Sequence, residues 1–162
     1  VLFRSVGNSD CHLKNMSFLI DSQGRRVAPF YDLLCTAVYH TKAFADERAV
    51  WPDEPLAMPV AGAPTFGDIT WQKLVDTGVQ LGLAARTAER EVGRFVGRMG
   101  PVADELMAQM DAEYADNRLM GKASRATQAA ERHVLRAIRH IVVGDMLRRV
   151  ALTRPLPAGK ST

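Results

Sequence analysis

The chain has 162 residues, 47% of them hydrophobic and 24% charged, enough for one folded domain with a sizeable core and unlike the composition of a disordered segment. Its net charge is only +3, no apolar run approaches the ~20 residues of a membrane span, and the opening lacks the charged head and apolar stretch of a signal peptide. Cys11 and Cys35 are too few for a disulfide framework, so reduced thiols in a cytoplasm are expected.

The first landmark is the loop Gly7-Asn8-Ser9-Asp10-Cys11-His12-Leu13-Lys14-Asn15. Met16 to Ile20 then has strand character, and Arg26-Val27-Ala28 can pair back across Asp21-Ser22-Gln23-Gly24, a polar cluster whose Gly signals a hairpin. Pro29 has no N–H to donate and ends the pairing; Phe30-Tyr31-Asp32 follows. Such a hairpin would set the separation between Asn15 and Asp32.

Leu33 to Tyr39 can begin a short helix. Pro52, Pro55, Pro59 and Pro64 then predict an irregular connection, the kind of long loop that is usually functional. Within it His40, Trp51 and Phe66 read as packed or exposed loop residues rather than ligands. From Thr70 the period becomes helical. Thr70 can cap a helix carrying Trp71, Leu74, Val75 and Val79, with Gly82 as its stop. Thr87 can cap the next, with Val92, Phe95, Val96 and Met99 on one face, broken or kinked at Gly100-Pro101. A last helix is expected from about Thr127 to Leu152, and the Met residues on these stripes are core filler. Residues 118–154 hold nine Arg or Lys against Glu131 and Asp145, a local +7. Such a face could touch nucleic acid weakly or indirectly through phosphates. Without aromatic interleaving or a recognition-helix pattern it reads first as a solvated face. His133 and His140 lie about 10 Å apart along the helix by its rise per residue, too far to share one Zn2+.

The expected fold is therefore mainly α with a small β-hairpin, in one domain. Residues 1–39 carry the loop, the hairpin and Asp32; 40–69 form the irregular Pro-rich connection; 70–153 a helical bundle; and 154–162 a disordered tail.

Asp10, Asn15 five positions later, and Asp32 beyond the hairpin stand where protein kinases place the residues of phosphoryl transfer. That reaction asks the protein to position in-line partners and neutralise charge. One carboxylate beside the nucleophile and two oxygen ligands for a Mg2+ that keeps its waters meet the need. An Asp and an Asn five apart are common in surface turns, and it is the surrounding frame that raises the signal. Asn8-Ser9 precedes Asp10, His12 and Lys14 lie inside the loop, and Asp32 closes the hairpin.

The runs N-S-D-C-H-L-K-N-M-S-F-L-I and V-A-P-F-Y-D-L-L resemble the catalytic loop and metal-binding segment of HipA-type serine/threonine kinases, the toxin halves of bacterial toxin–antitoxin pairs. The resemblance implies the C-terminal lobe of a protein-kinase-like fold. It makes Asp10 the catalytic base, Asn15 and Asp32 the Mg2+ ligands, and His12 and Lys14 loop-building and phosphate-facing. It further implies ATP as cosubstrate, a protein substrate with a Ser or Thr, and a HipB-like DNA-binding antitoxin as partner. Because the motif begins almost at once, the ATP-binding lobe is expected to be missing and these residues alone to be inactive. Two other readings are a small-molecule phosphotransferase of aminoglycoside-kinase type, whose loop shares D-x-H-x-x-N, and a non-catalytic helical interaction module. The frame around Asp10 and Asp32 favours the first.

Overall fold

The loop and hairpin expected near the start are both present in the computed structural model, which describes residues 7–31, 33–115 and 125–156. A single 3-10 turn, Leu13–Asn15, leads into β1 (Phe18–Asp21), which pairs antiparallel with β2 (Gly24–Val27). Phe18 stands opposite Val27 and Asp21 opposite Gly24. Both strands sit about two residues nearer the turn than the pattern suggested, because Gly24 itself joins the ladder. Asp21 closes that turn: one carboxylate oxygen accepts from the Gln23 N–H at 2.9 Å and the other pairs with Arg26 at 3.2 Å. Gly24 takes φ +117°, a value open to glycine without steric cost.

Residues 40–69 are not irregular. A 3-10 turn, Thr36–His40, and a single helical turn, α1 (Lys42–Ala45), enter the segment. A second antiparallel hairpin then forms from β3 (Pro55–Val60) and β4 (Ala63–Thr65). The prolines argued against strands there, but a two-stranded sheet is all edge, where a residue without an N–H breaks no inner ladder. Leu56, Val60 and Ala63 are buried while Pro55, Ala57 and Pro59 are exposed, the alternation of a half-buried strand. Ala61 and Gly62, both at positive φ, make the two-residue turn.

In the helical half the expected caps of the first helix hold, whereas Thr87, expected to cap the next, lies inside it. The Thr70 hydroxyl accepts from the Lys73 N–H at 3.3 Å and starts α2 (Trp71–Gln80), and Gly82 at φ +92° ends that turn of chain. The next helix, α3 (Ala85–Ala115), begins at Ala85 and runs unbroken through Gly100-Pro101. A proline inside a helix costs about 3 kcal/mol, but Pro101 and Gly97, whose carbonyl loses its partner, are both exposed, so water can take that bond. The packing of α3 on both sides of the site outweighs the rest. The expected last helix is present as α4 (Arg125–Ala137), a π-helical turn Ile138–Val143, and α5 (Gly144–Leu152). Of the expected tail 154–162, residues 157–162 lie outside the described residues, as do Arg118 and Lys122, whereas Arg154 at its start packs against Trp71.

One buried cluster joins these elements, with Val38, Phe66, Ile69, Trp71, Val142 and Met146 among its members. At the start of α2 the chain closes on itself: the Trp71 N–H donates to the Thr153 hydroxyl at 2.9 Å, and the Arg154 guanidinium lies 4.5 Å from the Trp71 ring centroid. One arginine of α4 and that of the π turn are engaged by α3. Arg132 pairs with Asp111 at 2.7 Å, Arg139 grips Asp104 with two bonds, and the Tyr114 hydroxyl donates to Glu131.

Phe66, fully buried in this cluster and packed at a tilt on Trp51, directly follows β4 and ties the second hairpin into the core. Phe66→Ala should lower stability by about 3–5 kcal/mol, read as a lower urea midpoint with an unchanged slope.

Candidate functional site

The loop expected to carry chemistry is held from behind at its first residues. Gly7 sits at φ +76°, and a Cβ there would come within 2.6 Å of Val142 and 3.0 Å of the Cys35 sulfur. No other residue fits. Its carbonyl accepts from the Ala37 N–H at 2.9 Å and from the Thr36 hydroxyl at 3.2 Å. The same Thr36 oxygen accepts from the Ser9 N–H at 2.8 Å and lies 2.7 Å from the Ser9 hydroxyl. Since the Thr36 hydrogen is committed to Gly7, the Ser9 hydroxyl is the donor of that last bond. On the other side the Ala57 N–H, from β3, donates to the Ser9 carbonyl at 2.9 Å.

The loop's second half is closed by Asn15. Its Oδ1 accepts from the His12 N–H at 3.0 Å while its own N–H donates to the His12 carbonyl at 3.0 Å, so the 3-10 turn is locked at both ends. Asn15 is buried, Asp10 and Lys14 are exposed, and His12 is half-buried. The Lys14 carbonyl accepts from the Tyr31 hydroxyl. Thus Asp10, His12, Lys14 and Asn15 share one tightly bonded loop. Asp32 lies outside the described residues; Tyr31, before it, is bonded to the loop at Lys14, and Thr36, after it, at Gly7 and Ser9.

Sequence reasoning did not pick out Ser9 and Thr36. They stand 27 positions apart, and no local pattern announces that one hydroxyl will serve three loop atoms. Asp10 and Asn15 offer hard oxygen donors of the kind Mg2+ takes. Both are oxygen-bearing side chains of one loop, so the donor types suit the ion. Among the described residues no cluster of three or more His, Cys, Asp or Glu stands ready for a metal.

Around the loop the surface is unusually apolar. Phe18, Ile20, Val27, Phe30, Tyr31, Leu33 and Leu34 are all exposed, from β1, β2 and the segment after them. Two cysteines outside any disulfide sit here, Cys11 buried within the loop and Cys35 half-buried behind Gly7. Burial pushes the Cys35 thiol up from 9.0 to about 11, partly offset by a hydrogen bond with the Val38 backbone and reinforced by the negative charge of Glu54. Glu54 is itself buried, with His40 at 3.4 Å.

With this geometry in view, similarity to known proteins can be placed on it. Residues 1–103 match the family model of the HipA-like C-terminal domain, and the chain belongs to that family. The mainly helical architecture with small hairpins fits the C-terminal lobe expected of it. Over 34 residues the chain is 59% identical to the protein of Sinorhizobium fredii (strain NBRC 101917 / NGR234) named "Putative kinase Y4mE". That stretch covers 21% of this chain and only 8% of the relative's length. No solved structure matches the chain.

Two outcomes follow from the loop's anchorage. Thr36→Val removes three hydrogen-bonding roles at nearly constant volume and should raise amide exchange of Ser9 at least about tenfold, whereas Thr36→Ser keeps it protected. For Cys35, alkylation in the native protein should rise with a midpoint near 11 rather than near 9. The folded state favours the protonated thiol, so stability falls as pH climbs through that 9 to 11 window. A denaturation series across those pH values with Cys35→Ala as reference isolates the effect.

Proposed function

We propose that this chain carries the catalytic loop of an ATP- and Mg2+-dependent kinase that phosphorylates Ser or Thr of a protein substrate. Asp10 orients the substrate hydroxyl and accepts its proton as the phosphoryl group is attacked. Asn15 and Asp32 hold Mg2+ against the ATP phosphates, and the ion, when bound, neutralises charge on the transferring group. Lys14 and His12 flank the same loop, Lys14 exposed towards anionic groups and His12 fixing the turn through its backbone. ATP itself needs a phosphate-cradling lobe to act with this one. A HipB-like DNA-binding antitoxin is the partner the family suggests for the whole protein.

The observation that carries this reading is the double tether across position 32. Tyr31 is hydrogen bonded to Lys14, one residue from Asn15, and Thr36 to Ser9, one residue from Asp10. The exposure of Asp10 fits a base that must meet a substrate from solution, and the burial of Asn15 fits a ligand whose geometry is set beforehand.

The natural reading frame that contains these residues should transfer label from γ-labelled ATP to Ser or Thr of protein. Asp10→Ala should lower kcat by about 10²–10⁴-fold, and Asp32→Ala should abolish Mg2+-dependent turnover. Full activity in both variants would remove the assignment. Transfer to aminoglycosides in place of protein would move the substrate class to small molecules.

A further inference from the structure

A groove of about 600 Å3 runs between α3 and the α4–π segment, meeting α2 at Leu74 and Gly78. Its α3 wall is the stripe Val92, Phe95, Met99, Val102 and Leu106 at three- and four-residue spacing. Leu135 and Ile138 face it. The stripe is incompletely covered, with Val102 39% and Leu106 58% exposed. The volume lies in the range of small-molecule sites, which pair mostly apolar walls with a few polar groups.

Charge singles out the head of a ligand. Glu91, Arg94, Arg98 and Arg139 line the groove. Glu91 pairs with Arg94 at 3.0 Å and with Arg90 at 3.3 Å, and Arg139 is held by Asp104 through bonds of 2.5 and 2.7 Å, so each of those lining groups has an ionic partner. Arg98 has no hydrogen bond or ion pair among the described residues. One unneutralised guanidinium beside a long apolar wall asks for one negative charge on a long apolar body.

Shape calls for an elongated ligand. The lining residues of α3 run from Ala88 to Met107, roughly 29 Å of helix at 1.5 Å per residue. The volume lies within the roughly 300–1,000 Å3 of pockets that take small molecules, and an elongated small molecule matches a groove drawn out along that length of helix.

We propose that this groove binds a monomeric long-chain carboxylate, its head forked by the Arg98 guanidinium and its tail laid past Met99, Val102 and Leu106. Helical side chains lean towards the N-terminus, which sets the head on the Arg94 side of Arg98 and leaves the more open half of the groove for the tail. The site lies on the helical bundle and does not depend on the phosphotransfer reading.

The test is displacement of a fluorescent polyene carboxylate from the full chain, with a 16-carbon carboxylate and its alcohol as competitors. One saturable site is expected, with the carboxylate favoured over the alcohol. Arg98→Gln should weaken the carboxylate by about tenfold or more, the loss expected for one charge-assisted pair, and leave the alcohol unchanged. Leu106→Glu should weaken both. Arg98 and Leu106 are exposed, and unchanged circular dichroism confirms that each variant folds. Four results would overturn the assignment: no saturable binding, equal affinity for carboxylate and alcohol, stronger displacement by an acidic helical peptide, or binding to anionic vesicles alone.

Discussion

Everything in the candidate site depends on where one hydroxyl group sits. The Thr36 oxygen takes hydrogens from the Ser9 backbone and side chain and gives its own to the Gly7 carbonyl. Those bonds join the strand of chain before Asp10 to the strand of chain after position 32. Each is worth about 1 kcal/mol in net stability, but leaving such buried groups unmade costs the full desolvation of each. The knot therefore fixes a geometry more than it adds to stability. Gly7 is the other half of the same constraint, since its missing side chain is what lets Val142, Cys35 and Ala37 close in behind the loop.

The helices supply the wall against which that knot is pressed. Val142, wholly buried, belongs to the π turn Ile138–Val143, an irregularity that shifts register within an otherwise continuous helix. π turns of this sort concentrate at functional sites because they re-aim side chains without ending the helix. Here the re-aimed residue meets Gly7. From the other direction β3 donates the Ala57 N–H to Ser9, so the second hairpin also braces the loop. A long proline-bearing segment thus has a structural task.

Local signals in the sequence carried much of this and failed where contacts are long-range. Thr70 and Gly82 bound α2 as side-chain capping and glycine geometry require, and the Gly24 hairpin formed with a small shift of register. The D-x4-N loop with its following hairpin pointed to the family that the chain proves to join. Prolines misled at β3–β4, and at Pro101 the helix is not broken, because a proline's cost depends on whether the missing N–H had a partner to lose, which the sequence does not state. The Ser9–Thr36 bond, the pairing of Arg132 and Arg139 with α3, and the π turn all depend on tertiary neighbours. The basic run that looked like a polyanion-facing stripe is, over its described residues, largely answered by Asp104, Asp111 and Asp145.

The first hairpin has a consequence of a different kind. β1 and β2 form a sheet of two strands, both of them edges, with every residue exposed and with Phe18, Ile20 and Val27 among them. A ribbon this short has little cohesion of its own, and bare strand edges flanked by large apolar side chains are templates for further pairing. Colloidal behaviour is therefore written into the same few residues that directly follow the candidate loop. Any preparation of this polypeptide will be governed by how that ribbon is shielded, and charged or chaperoning neighbours at its rim set the concentration at which it stays monomeric.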